Sequence, residues 1–283
     1  MAGGAQTADA AGEKLDIVGH ILNQNYLELP LIDAHHLLAG KIQLPAFPSF
    51  VDPIFGLSID LSLTRHVVMM WVASGLLIAL LLLAFRRPSL VPGGLANFFE
   101  AIALFLRDEV VLPIMGEAGK KYLPFLLTLF FFILFCNLLG LIPYGATPTG
   151  NISVTAALAL CSFAVMIGAG IANNGPLGYL KSLIPSGVPL WLLPIMIPVE
   201  LISLLVKPFA LCVRLFANMT GGHVAILVFL GLIVILKSEW VALGSVPFAA
   251  AIYLLEIFVA FVQAFVFVLL STVFISMAAH PEH

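Results

Sequence analysis

Four ionisable side chains stand inside one apolar stretch, LWLLPIMIPVELISLLVKPFALCVRLFANMTGGHVAILVFLGLIVIL at 190–236: Glu200, Lys207, Arg214 and His223. An ionisable group at bilayer depth costs ~2.5–3.5 kcal/mol or more on insertion scales, so each is a functional hypothesis in its own right. Arg214 is the sharpest case. Apolar residues on both sides keep it from snorkelling to an interface, and a guanidinium, unlike a buried Lys or His, does not discharge by losing its proton. A permanent cation in that setting calls for a carboxylate, a wet cavity, or both.

At 100° per residue, Glu200, Lys207, Arg214 and Asn218 fall within about 40° of one another, and Ser203 lies roughly 60° from Glu200. They make one polar stripe on an apolar helix. His223 points to the opposite side, ~13.5 Å beyond Arg214. A helix that only buries scattered polar groups against its neighbours does not account for so many ionisable groups in one span. The last apolar run, 246–279, carries Glu256 and Gln263 on one face, ~10.5 Å apart. If the two runs are antiparallel helices with Arg214 and Gln263 level, His223 and Glu256 come to one depth. Glu200 then lies ~21 Å from Arg214 on the other side. A fixed cation separates two sets of titratable groups, with no uninterrupted relay past it.

The composition says what must position these residues. Of 283 residues, 61% are hydrophobic and 10% charged, and the mean hydropathy is +1.13. Soluble domains carry about 25% charged residues, so the chain is an integral membrane protein. A net charge of −3 argues against a nucleic-acid binder. Cys136, Cys161 and Cys212 all sit in apolar runs and read as small buried hydrophobes, without disulfide or metal-ligand spacing. His20, His35 and His36 likewise lack metal-site spacing and read as interfacial polar residues. No G-x-x-x-x-G-K-[ST] run is present, so no nucleotide site and no cofactor is expected.

The expected fold class is all-α integral membrane, with about five transmembrane passes. The spans fall at about 67–85, 122–143, 152–172, 190–236 and 246–279, with an amphipathic helix at about 95–119 on the cytoplasmic interface. Residues 65–283 form the membrane domain and 1–64 an extramembrane or interfacial segment. In that segment LDIVGHILNQNYLEL has weak helical periodicity, and 40–64 reads as an irregular approach to the membrane. Pro92-Gly93-Gly94 and Pro143-Tyr144-Gly145 mark turns, and Asn173-Asn174-Gly175-Pro176 opens a loop at 173–189. Gly168, Ala169 and Gly170 suit close helix packing, and Asn137 suits either a channel or a helix-to-helix hydrogen bond. Arg86, Arg87, Arg107, Lys120, Lys121 and Lys181 fall on one side, against Lys14, Lys41, Arg65 and Lys237 on the other. The positive-inside rule puts the N-terminus outside and the C-terminus in the cytoplasm. Without an Arg/Ser-rich transit peptide, the expected location is a bacterial inner membrane. The 190–236 stretch would be ~70 Å long if wholly helical. It is either two crossings with a turn near Lys207-Pro208 or one long, kinked, tilted helix.

The run LLVKPFALCVRLFANMTGGH, with Glu200 upstream, and the later segment EIFVAFVQAFVFVLLSTVFISMA closely resemble subunit a of the F-type ATP synthases. So do NLLGLIPY at 137–144 and TPTGNISVTAALAL at 147–160, and the resemblance runs from about residue 65 to the C-terminus. The Arg-Leu-Phe-x-Asn core at 214–218 is highly specific in this setting. The resemblance favours one long tilted helix over 190–236, kinked at Pro208, with Gly221-Gly222 allowing close approach. It implies a stator subunit that is not an enzyme by itself, the chemistry of ATP residing on other subunits. Its implied partners are the c-ring proteolipid subunits, peripheral-stalk subunit b, other ATP synthase subunits and the lipid bilayer. The implied proton-translocation residues are Arg214, Asn218, Gln263, His223, Glu256, Glu200, Ser203 and Asn137. Many bacterial members of that family carry Glu where His223 stands and His where Glu256 stands. The exchange here points to the pair as the functional unit. Two other classes fit less well. A secondary transporter binding an anion at Arg214 would show matched interrupted helices in two halves, and a pure scaffold leaves Arg214 unexplained.

Overall fold

Apolar runs with no water to satisfy their backbone must satisfy it internally, and helices do so residue by residue. The computed structural model describes residues 26–33, 36–43, 50–51, 58–59, 64–86, 93–142, 147–182, 193–236 and 239–279. The helices are α1 (Arg65–Ala84), α2 (Leu95–Phe105), α3 (Leu112–Met115), α4 (Leu123–Gly140), α5 (Ile152–Ser182), α6 (Leu193–Leu236) and α7 (Glu239–Ala279). Five of them, α1, α4, α5, α6 and α7, contain segments long and apolar enough to cross a membrane. From residue 64 onward the all-α integral membrane class holds.

Helix α7 is the centre of the bundle, packing against α4, α5 and α6, while α1 leans on α4. Phe130 of α4, Leu215 and Met219 of α6, and Phe267, Val268 and Ile275 of α7 are fully buried between them. Helix α6 is a single helix of 44 residues that continues through Pro198 and Pro208. At 1.5 Å per residue it is ~66 Å long, more than twice a ~30 Å hydrocarbon core. Of the two readings of 190–236, the single long helix is the one formed.

Three boundaries differ from the sequence reading. Helix α5 does not stop at 172 but continues to Ser182, broken only where Gly175 takes φ 71° ahead of Pro176. The polar Asn173-Asn174 pair reads as a loop, yet its amides cap the neighbouring helix. Asn173 Nδ2 donates to Ala279 O at 3.5 Å, and Asn174 Nδ2 donates to Ala278 O at 3.3 Å. These carbonyls lie in the last turn of α7, where a helix has no partners of its own to offer. Helix α7 begins at Glu239 rather than 246 and runs through Pro247. The expected amphipathic helix at 95–119 is α2 and α3 joined by a π-helical turn, Leu106–Val111, and followed by a 3₁₀ turn, Gly116–Lys121. Pro113 lacks the N–H that an α-helix would bond four residues back, which accompanies the widened turn before it. Of the three small residues expected at a close approach, Ala169 is buried and Gly170 meets the Tyr179 ring, whereas Gly168 faces open space.

Before the first membrane helix, β1 (Tyr26–Asp33) pairs antiparallel with β2 (His36–Gln43), in register from Tyr26↔Gln43 to Asp33↔His36. A second small ladder pairs β3 (Phe50–Val51) with β4 (Ser58–Ile59). The weak helical reading at 26–29 and the irregular reading of 40–64 therefore give way to strands at these positions. Pro30 is tolerated because a two-stranded ladder has only edge strands. His20, His35, the Pro143-Tyr144-Gly145 turn, Lys237 and the residues after Ala279 lie outside the described residues.

Candidate functional site

Helices α6 and α7 are joined by a short connection and pack against each other. Their contacts step in opposite directions along the two chains. Phe229 meets Phe248 with ring centroids 4.6 Å apart, His223 meets Glu256, and Lys207 Nζ lies 5.7 Å from the centre of the Phe274 ring. The pair is antiparallel. That register brings Gln263 level with about residue 217, within roughly a turn of Arg214 and Asn218.

At one end of the bundle the helices converge on Glu256. Its carboxylate is buried, with Oε1 4.0 Å from His223 Nδ1. Gly222 makes the space, since any side chain there would overlap the Glu256 carboxyl group. The other nitrogen of the imidazole, Nε2, meets the Thr147 hydroxyl. Thr147 precedes a short 3₁₀ turn, Pro148–Gly150, and packs where a Cβ on Gly140 would stand. Its carbonyl accepts a bond from His66 Nδ1 at 3.2 Å, linking the start of α1 to the turn across 81 residues of chain. Tyr253 adds a tie from α7 to the end of α4, its hydroxyl donating to Leu141 O at 2.9 Å.

Asn137 sits directly beneath this cluster and is fully buried. Its Nδ2 donates to Ala260 O at 3.3 Å, and its Oδ1 accepts from the Thr149 hydroxyl at 2.7 Å. The amide bonds on both sides and joins α4, α7 and the turn.

The polar stripe of α6 runs toward the other end. Arg214 is exposed at the surface of the bundle, and among the described residues it forms no ion pair. Asn218 Nδ2 and Gln263 Nε2 are buried amide nitrogens with no hydrogen-bond partner among the described residues. Buried donors left unpaired are costly, so these two N–H groups are available to water or to an acceptor brought alongside them. Lys207 lines a cleft with Ser162, Ser271 and Phe274, where Ser271 Oγ donates to Ser162 Oγ at 3.2 Å. Glu200 is half-buried and Ser203 exposed. The same helix presents Ile195, Ile202, Leu205 and Phe209 outward, each more than half exposed. Among the described residues no group of three or more His, Cys, Asp or Glu side chains could hold a metal ion.

The residues brought together are thus His223 and Glu256, with Gln263 near the Arg214–Asn218 turn. Glu200 and Ser203 stand apart from both. Two participants, His66 and Thr147, were not singled out from sequence. The one signal for His66 was an imidazole next to Arg65 at the start of an otherwise uncharged span. Thr147 carried no signal of its own beyond opening the TPTGNISVTAALAL run, just before a proline.

A bundle of membrane-length helices that holds a His–carboxylate pair between its two longest members defines a multi-pass membrane protein with ionisable groups built into its interior. Residues 67–276 match the family model described as ATP synthase A chain. The chain is 54% identical to ATP synthase subunit a of Myxococcus xanthus over 80% of its own length and 75% of that protein. To the protein of the same name from Anaeromyxobacter dehalogenans it is 49% identical, over 90% of this chain and 68% of the relative. To that of Chloroherpeton thalassium it is 45% identical, over 96% and 79% respectively. The chain belongs to the ATP synthase A chain family.

Proposed function

We propose that this chain is the proton-translocating stator subunit in the membrane sector of an F-type ATP synthase of a bacterial inner membrane. One observation carries the reading: Arg214 is a guanidinium with no carboxylate partner among the described residues, exposed on a long helix whose surrounding surface is apolar. Leaving such a charge unpaired at bilayer depth is costly. A ring of c subunits, each bringing a membrane carboxylate past this face, supplies the missing partner in turn.

Arg214 favours the ionised form of the carboxylate that faces it, as an opposite charge does. It thereby releases a proton to one side and bars direct leakage to the other. Asn218 and Gln263 orient the guanidinium through their carboxamide oxygens, which accept from it, and orient its waters through the amide N–H groups that have no partner among the described residues. His223 and Glu256 line a half-channel open to the outside, and Glu200 and Ser203 line one open to the cytoplasm. The N-terminus lies outside and the C-terminus inside. Subunit b and the remaining stator subunits hold this chain still while the ring turns. Each charge crossing 100 mV gains ~2.3 kcal/mol, so several protons are needed for one ATP.

The test is Arg214→Ala in the assembled, reconstituted complex. ATP-driven proton pumping is expected to vanish while the c-ring still copurifies. Normal coupled pumping in that variant would refute the reading.

A further inference from the structure

We propose that His66 is a positioning residue for the His223–Glu256 pair, acting through Thr147. The proposal rests on the reading of that pair as part of a proton half-channel. His66 is 3% exposed, and its Nδ1 donates to the Thr147 carbonyl at 3.2 Å. The same carbonyl also accepts from Gly150 N at 3.0 Å, the bond internal to the turn. His66 therefore provides a bond that fastens the turn to α1.

The consequence for chemistry lies on the other side of Thr147. Its hydroxyl meets His223 Nε2, while His223 Nδ1 faces the Glu256 carboxylate. A neutral imidazole carries one proton, and the bond at one nitrogen sets which nitrogen holds it. When the Thr147 O–H donates to Nε2, the ring proton is on Nδ1, directed at Glu256. A threonine side chain is stiff at χ1, so its hydroxyl points wherever its backbone is set. Gly140 admits the Thr147 side chain from the opposite side, because any side chain there would overlap it. Backbone placement by His66 and side-chain placement beside Gly140 together aim one hydroxyl at one nitrogen.

The test is a double-mutant cycle on passive proton flux, measured in proteoliposomes of the whole complex under an imposed potential. Thr147→Val removes the hydroxyl and keeps the shape. His66→Ala removes the bond that sets it. Each single variant is expected to slow flux about five- to tenfold, the scale of one positioned hydrogen bond. His66→Ala should add nothing further in the Thr147→Val background, because both act through the same hydroxyl. His66→Asn, which keeps an N–H donor at similar reach, should recover most of the flux lost in His66→Ala. A variant at 66 that costs the same factor in both backgrounds overturns the proposal, as does wild-type flux in His66→Ala. If His66→Ala fails to assemble, His66→Leu keeps the buried bulk and enters the same cycle. Glu256→Gln separates the two levels of argument. Blocked flux in Glu256→Gln together with an additive cycle removes the role of His66 alone. Undiminished flux in Glu256→Gln removes both that role and the half-channel reading beneath it.

Discussion

His223 and Glu256 meet at 4.0 Å because the carboxyl group of one helix lies over Gly222 of the other. The separation is beyond hydrogen-bond reach, and neither carboxylate oxygen has a hydrogen-bond partner among the described residues. The pair is close enough to feel each other's charge without being locked together, and the space for it is the volume of one missing side chain.

That dependence predicts a suppressor. Gly222→Ala places a methyl group where the Glu256 carboxyl stands, and the carboxyl must move away from His223. Proton flux through the reconstituted complex should fall by about tenfold, the equivalent of ~1.4 kcal/mol on the barrier. Glu256→Asp shortens the side chain by one methylene, and in the Gly222→Ala background it should raise the rate again. A double variant slower than Gly222→Ala alone would show that crowding of this carboxylate is not what limits flux.

Where the sequence was legible, a regular period carried the information. The helical rise placed His223 and Glu256 at one depth from counts on two separate runs, and the structure sets them side by side. Hydropathy found the membrane helices for the same reason. What escaped was irregular or remote. His66 reaches Thr147 across 81 residues, through a carbonyl that any residue type would have supplied. Asn173 and Asn174 carry turn chemistry but spend it on the carbonyls of α7. The level assumed for Arg214 and Gln263 was offset by roughly a turn, because side-chain size at each crossing sets the register and periodicity does not. The exposure of Arg214 follows from what does not pack against it, which no local pattern records.

Arg214→Lys is expected to fail almost as completely as Arg214→Ala. An ammonium is a compact point charge without the planar fork that engages a carboxylate from two nitrogens, and it can give up its proton when desolvated. The assembled complex should hydrolyse ATP with little acidification of inverted vesicles. Acidification at the wild-type rate would show that charge alone suffices at this position.

The proposal of two offset half-channels predicts opposite sidedness for thiol chemistry. Ser203 is exposed and Glu200 half-buried on the stripe that leads away from Arg214. Cysteines introduced at these two positions should react with membrane-impermeant thiol reagents from the cytoplasmic side, since a thiolate forms only where water reaches it. Cysteines at 223 and 256 should react from the outside. Labelling of both sets from one side would contradict two offset channels, and reversed sidedness would invert the topology.

The last prediction concerns exchange of the pair itself. His223→Glu places two carboxylates within reach of one another, and their repulsion disfavours having both ionised. Glu256→His places two imidazoles there, which cannot both charge at low cost. Each single change should therefore slow proton conduction. The double exchange restores one imidazole and one carboxylate, with a coupling energy of roughly 0.5–3 kcal/mol for groups in one network. Recovery should be incomplete, because the surroundings are not symmetric. The Thr147 hydroxyl serves position 223, and the missing side chain of Gly222 makes room at position 256. A carboxylate at 223 can still accept from Thr147, whereas an imidazole at 256 must fit its rigid ring over Gly222. Passive flux and ATP-driven acidification in inverted vesicles, measured for all four forms, decide the matter. Strictly additive losses, with the double exchange slower than either single change, would mean that the two residues do not share a proton path.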